Sequence, residues 1–204
     1  MAKKKKFTLH SALPIQELHA VLTSERYLLT NEGIENPGSS RVVDAEQSVR
    51  DDGTVTARVH MASQVKAAGA AEQPEAAAAG DDEVGVENNG QPAASEPKEM
   101  HVEQTTTVSP IEEDRKGLNF RFATIMPLPG RMGTVFTDMD VRPDDAGTGS
   151  DVAVEMRVDT SIPIIGPKLA KHLLGNSEES VGKGLRRAER LVTFPTDETG
   201  PNQS

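Results

Sequence analysis

The chain has 204 residues, of which 35% are apolar and 3% aromatic, with no Cys, no Trp and a formal net charge of -10. The missing cysteines exclude a disulfide scaffold, a thiolate zinc site, an iron–sulfur cluster and thiol catalysis. The negative charge argues against general nucleic-acid binding, which works by neutralising phosphates, and no run approaches the ~20 consecutive apolar residues of a membrane span.

Lys3, Lys4, Lys5 and Lys6 open the chain as a solvated start. No hydrophobic stretch with a cleavage site follows them, so a secretory leader is not expected and the expected location is cytoplasmic. Lys6–Leu13 reads as extended. Pro14 then opens a helix with Ile15, Leu18, Val21 and Leu22 at helical spacing, continuing through Tyr27 and Leu28 to about Asn31–Gly33. Over 41–50, Val43, Ala45, Gln47 and Val49 alternate with polar residues, and Asp51-Asp52-Gly53 is a hairpin turn signal. Val55, Ala57, Val59 and Met61 continue the alternation in a second strand.

Residues 66–97 break the pattern. These 32 residues contain ten Ala, four Gly, three Pro and seven acids against the single base Lys66. Such a segment buries too little apolar surface to offset about 1–2 kcal/mol of backbone entropy per residue, and it reads as a disordered acidic loop. Most of the chain's negative charge resides there. Strands resume with Val102, Gln104, Thr106 and Val108 on one face, then Leu118, Phe120, Phe122, Thr124 and Met126. Val135, Thr137, Met139 and Val141 follow, and then Val152, Val154, Met156, Val158, Thr160 and Ile162. One face of the resulting sheet is apolar and the other charged, as expected for a sheet covered on one side. The cover comes from a long helix over 167–194, with Leu169, Leu173, Val181, Leu185, Ala188 and Val192 on one side. A break near Gly175–Ser177 is expected because glycine is costly inside helices. The tail 195–204 is polar and reads as flexible.

The pattern is that of an α+β domain over 1–194, interrupted by the acidic loop, with about seven antiparallel strands in the order β-α-β6-α. This order resembles the helix-grip fold of the START-like superfamily, the polyketide cyclase/dehydrase and lipid-transport (SRPBCC) group. In that fold a curved sheet wraps around a long C-terminal helix. Within it, Pro163-Ile164-Ile165-Gly166-Pro167-Lys168-Leu169, together with the helical stretch from Pro14 and the element Thr23–Tyr27, resembles an uncharacterised, mainly actinobacterial family. The resemblance covers about 1–65 and 100–194. It departs at 66–99, where those relatives have a short apolar connection and a strand ending in an aromatic residue.

The search for chemistry is mostly negative. His10, His19, His60, His101 and His172 show no metal-binding spacing, and no residue pattern calls for a metal or other cofactor. Val181–Leu185 is not a phosphate-binding loop, because the upstream glycine is Ser177 and Gly184 stands where a Ser or Thr is required. Glu178-Glu179 and Asp144-Asp145 read as solvated pairs, so no catalytic residue is assigned. What remains is the inward list. Met61, Phe120, Phe122, Met126, Met139 and Met156 lie on the apolar strand faces, opposite Leu169, Leu173 and Leu185 of the helix. The resemblance implies a cavity among these nine residues for a lipid or other hydrophobic small molecule, with Gln47, Gln104, Thr124 and Thr137 as polar contacts. The residues alone leave a filled core equally open. A cyclase- or hydratase-like enzyme, with His60 or His101 in a polar dyad, and a protein-interaction role for the acidic loop are the alternatives.

Overall fold

A computed structural model of the chain describes residues 2–34, 40–65, 98–163 and 165–193. The acidic segment 66–97 and the tail 195–204 lie outside the described residues. The strands are β1 (Ala2–Ser11), β2 (Ser40–Val49), β3 (Val55–Val65), β4 (Lys98–Val108), the short β5 (Glu112–Asp114), β6 (Gly117–Leu128), β7 (Gly133–Pro143) and β8 (Ser150–Thr160). The helices are α1 (Ile15–Leu22), α2 (Glu25–Leu29), α3 (Ile165–Gly175) and α4 (Ser177–Thr193). The strands form one antiparallel sheet in the order β1-β8-β7-β6-β4-β3-β2, with β5 added beside β6. The first strand thus lies beside the last, and the chain between them runs across the sheet as hairpins. The architecture is α+β, with the C-terminal helices on the apolar face of the curved sheet, as the helix-grip reading requires.

Several boundaries differ from the sequence expectations, each for an identifiable physical reason. The lysine-rich start keeps Lys3, Lys4 and Lys6 exposed, but its backbone extends edge strand β1 back to Ala2, paired from Ala2↔Asp159 to Ser11↔Ser150. Lys4 and Lys6 reach Glu155 at 3.7 and 2.6 Å on the convex face, while Lys5 reaches Glu178 of α4 at 2.9 Å. Charged side chains along an edge strand also discourage pairing with another chain. The first helix divides at Thr23, because Ser24 caps a new turn by accepting a hydrogen bond from the Tyr27 N–H at 3.2 Å. The C-terminal helix divides at Asn176, within the expected region. The phase of α4 is corrected: Leu185, Ala188 and Leu191 are buried, whereas Val192 is exposed. In β2 a bulge shifts the register between Val42 and Asp44, so that Val42 faces Met61 and Val43 turns outward, while Val49, opposite Val55 at the strand end, keeps its expected face but is exposed.

The main core lies where α1 and the middle of α4 cross the sheet. It joins Leu18 and Leu22 of α1 and Leu185 and Ala188 of α4 to Phe120, Val108, Val141 and Val152 of the sheet. A smaller cluster, Val135, Val158, Ala170 and Leu174, seats α3 against β7 and β8. On the convex side, Arg142 of β7 holds β5 in place. Its guanidinium donates to both carboxylate oxygens of Asp114 at 2.8 and 3.1 Å and to Asp140 at 2.9 Å. The Arg142 hydrogen bonds, helped by the Lys116 N–H, hold the Asp114 carboxyl down at about 2. A depressed carboxylate stabilises the fold above its unfolded-chain value near 3.9 and loses that contribution as pH falls through about 2. In Arg142→Gln, NMR titration is expected to move Asp114 up toward the ordinary carboxylate range; an unmoved titration refutes this origin.

Candidate functional site

The cavity follows from the pairing of the strands. One row of paired residues crosses the concave face as Val55, Val108, Phe122, Met139, Val154 and Phe7. These side chains are large and close the core against α1 and α4. The next row, two residues along each strand, is Ala57, Thr106, Thr124, Thr137 and Met156. Four of its five members are small, so the space beneath α4 is left unfilled. The row beyond brings back volume with Val59, Gln104, Met126 and Val135. A closed packing needs volume at every position; one row of Ala and Thr between two large rows makes a trough.

The resulting cavity has a volume of about 310 Å³. Its floor is Thr106, Thr124, Thr137 and Gln104, and its apolar walls are Met61, Phe122, Met126, Met139, Met156, Val59 and Val135. Ser180, Val181, Gly184, Leu185 and Arg187 of α4 form the roof. Tyr27, Leu28, Thr30, Asn31 and Ile34, from α2 and the loop after it, form the open end together with Val42 of β2. Gln104 donates from Nε2 to the Thr106 hydroxyl at 3.2 Å, so the polar floor is partly satisfied internally. Gly184 permits a close approach of α4 to α2: a Cβ there would stand 3.2 Å from the Tyr27 hydroxyl, a tight contact.

Of the nine side chains singled out in the sequence, Met61, Phe122, Met126, Met139, Met156 and Leu185 line this space. Phe120, Leu169 and Leu173 do not. Phe120 is on the same face of β6 as Phe122 but in the row that meets α1, fully buried with the His19 ring edge-on at 4.9 Å. Leu169 and Leu173 belong to α3, which the break at Asn176 carries away from the cavity roof toward β8 and β1. Leu173 packs on the smaller cluster. Gln47 stands at the far end of the threonine row but turns to α1, donating to the Thr23 carbonyl at 3.2 Å. Thr106, Tyr27 and Arg187 were not singled out. Only the strand register exposes Thr106's role, and only helix packing exposes that of the other two.

Arg187 fastens the open end. Its Nε donates to the Glu32 carbonyl at 2.6 Å, and its Nη2 donates to the carbonyls of Thr30 at 2.7 Å and Arg26 at 3.1 Å. The guanidinium carbon lies 4.7 Å from the centre of the Tyr27 ring. Arg190, one turn on, donates to the Gly33 carbonyl at 2.7 and 3.0 Å. The Arg26 carbonyl lies in the last turn of α2 and those of Thr30, Glu32 and Gly33 follow its C-terminal end, where backbone acceptors lack helical partners and a cation is favourable. Burial lowers the Arg187 pKa from its usual value, opposed by the charges of Tyr27 and Glu32, and burial raises that of the Tyr27 phenol. Arg187→Ala is therefore expected to cost about 2–3 kcal/mol in chemical denaturation, and to speed hydrogen exchange at the Ile34 amide, bonded to the Asn31 carbonyl at 3.2 Å. Arg187→Lys keeps the charge but not the fork and recovers less than half. Unchanged exchange in Arg187→Ala would count against the fastening role.

No histidine or carboxylate side chain lines the cavity among the described residues. His60 and His101 stand together on the convex face, Nε2 to Nδ1 at 3.2 Å, beside Asp44, Glu46 and Glu103. Glu178 pairs with Lys5, and Glu179 with Lys183 at 2.7 Å. Asp144 accepts from the Thr148 N–H at 2.9 Å in a turn. Among the described residues no cluster of metal-ligating side chains occurs, and no helix is long and apolar enough to cross a membrane.

The structure is similar to that of human STARD10, with a TM-score of 0.53, 10% sequence identity, and coverage of 96% of this chain and 66% of that one. The chain has the START-like fold. This START-like chain is also similar to Ara h 8.0201, with a TM-score of 0.50, 13% identity, and coverage of 95% of this chain and 100% of that one. The model of a family described as a protein of unknown function, DUF2505, matches residues 92–192. That stretch runs through β4 to α4 and so carries the threonine row, most of the methionines and the helical roof. No curated protein matches the sequence.

Proposed function

We propose that this START-like protein binds a single hydrophobic small molecule in the cavity between the sheet and α4, without catalysing a reaction on it. The observation that carries the reading is the trough itself: a mostly apolar space enclosed by a rigid sheet and a helix, with a few polar groups on its floor. Methionine lends such a wall adaptability, because its unbranched, polarizable side chain can re-pack around different shapes. The ionisable side chains lining the described cavity are Tyr27 and Arg187. Arg187 is engaged with backbone carbonyls, and a phenol with a raised pKa is a poor base near neutrality. General acid–base work needs a positioned group that titrates near the working pH, so this lining favours holding a molecule over transforming it. The placement of His60 and His101 on the opposite face favours the same reading over a cyclase- or hydratase-like enzyme.

The volume equals that of about ten water molecules at liquid density, which suits one short chain or a small ring system. Titration with 1-octanol, followed through the methyl resonances of Met61, Met126, Met139 and Met156, tests the reading. Saturable shifts of these four, with recovery of unaltered octanol, are expected. Resonances that stay fixed up to the solubility limit of octanol would overturn it.

A further inference from the structure

The floor of the trough carries hydrogen-bonding capacity that the protein does not use. Thr106, Thr124 and Thr137 stand directly opposite one another on β4, β6 and β7, so they form a line across strands about 4.8 Å apart. All three line the cavity, with Gln104 beside them. Among the described residues the hydroxyls of Thr124 and Thr137 have no hydrogen-bond partner. The Thr106 hydroxyl accepts from Gln104 Nε2 at 3.2 Å, which leaves its own proton and the Gln104 Oε1 unspent among those residues. The walls around this line are methionine, valine and phenylalanine and offer no substitute partners.

The lining is also poor in charge that a ligand could use. No carboxylate or histidine side chain reaches it among the described residues. Arg187, at the roof, donates to the carbonyls of Arg26, Thr30 and Glu32, and the Glu32 charge acts on it as well. Burial raises the Tyr27 phenol pKa, so that group stays protonated near neutrality. Hydroxyls and an amide are dipoles, and dipoles alone compensate a buried full charge poorly.

From this line of unspent hydroxyls in an apolar trough we infer that the ligand is an uncharged molecule with a hydroxyl or carbonyl oxygen set in an apolar skeleton, that oxygen lying on Thr106, Thr124 and Thr137. The inference rests on the proposed binding function and names the chemistry of its ligand. A ligand that expels water from the floor must replace the hydrogen bonds that water gives these groups, or it loses affinity. A hydrocarbon replaces none of them. A neutral oxygen replaces one or more and brings no charge to bury. Sites built to hydrogen-bond a ligand hydroxyl reject the analogue lacking it more strongly than apolar pockets reject a change of size.

The test compares p-xylene, 4-methylphenol and 4-methylbenzoate on the full chain at pH 7, where the phenol is uncharged. The first two have nearly the same shape and differ by a methyl for a hydroxyl. 4-Methylphenol is expected to bind about tenfold more tightly than p-xylene, and 4-methylbenzoate more weakly than the phenol. In a pocket without partners the first order reverses, because the buried hydroxyl leaves its bonds to water unreplaced. Thr124→Val and Thr137→Val each remove a hydroxyl and keep the branched shape of a strand residue. Each is expected to weaken 4-methylphenol about five- to tenfold and to strengthen p-xylene. The ratio of the two affinities on one variant does not depend on how much of that variant is folded. p-Xylene binding as tightly as 4-methylphenol would overturn the oxygen assignment while leaving a hydrophobic site. So would a preference for the phenol that survives both substitutions. Tightest binding by 4-methylbenzoate would overturn the uncharged assignment. Failure of all three probes to bind would overturn the binding function along with it.

Discussion

Thr137→Phe is expected to reduce octanol affinity at least tenfold while leaving the unfolding free energy within about 1–2 kcal/mol of the parent. Thr137 sits mid-row between Thr124 and Met156 and lines the cavity, so a ring built there projects into open space. Filling an existing void adds dispersion contacts, and the penalty for overpacking, about 1–3 kcal/mol in a dense core, is diminished where space already exists. Isothermal titration with octanol and urea denaturation measure the two quantities separately. Thr124→Phe offers the same blockage from the adjacent strand should the first variant fold poorly. Unchanged octanol binding in both variants would mean that ligand occupies some other surface.

Phe120→Ala gives the opposite outcome: a loss of about 3–5 kcal/mol in stability, a large share of the roughly 5–15 kcal/mol that keeps an ordinary domain folded. Phe120 is fully buried, pairs across the sheet with Val141 and packs against the His19 ring of α1, whose Nε2 lies 2.9 Å from the Ser109 carbonyl. Truncation leaves a cavity that neither strand can close, because Val141 and Val152 are themselves held in register. Circular dichroism with urea should show the midpoint falling steeply. A variant that stays within 1 kcal/mol of the parent would show that this end of the core collapses around the gap. Two phenylalanines on one face of one strand thus separate: Phe122 forms a wall of the site, and Phe120 holds α1 to the sheet.

Much of the architecture was legible because the signals are local. Period-two alternation in 55–61, 118–126, 135–141 and 152–162 named the strands and their inward faces, and the spacing Ile15, Leu18, Val21, Leu22 named the first helix. The turn at Asp51–Gly53 is likewise local chemistry: the Asp52 carboxylate accepts from the Thr54 N–H at 2.8 Å, and Gly53 takes a φ of +82°. Where local signals misled, something non-local decided. The bulge at Val42–Asp44 inverts the faces at the start of β2, and the phase of α4 is set by what lies beneath it, so Leu191 and not Val192 turns inward. The lysines of the start keep the solvent exposure their charge implies, while their backbone pairs with β8 and makes them the opening of a strand.

The low apolar content, the absence of cysteine and the concentration of acid in 66–97 are properties of the chain alone, and they settled which chemistries are excluded. The alternation and helical spacing settled the α+β class. The cavity is different in kind. Thr106, Thr124 and Thr137 are far apart in sequence, and nothing about each singly marks it as more than a small strand residue. They become a trough only when the register of β4, β6 and β7 sets them side by side beneath α4. Likewise Arg187 is one of several cations on an amphipathic helix until helix packing brings it against the carbonyls of Arg26, Thr30 and Glu32. Periodicity fixes which way a side chain points, but empty space and charge at a cavity mouth are properties of neighbours, and strand pairing and helix packing choose the neighbours.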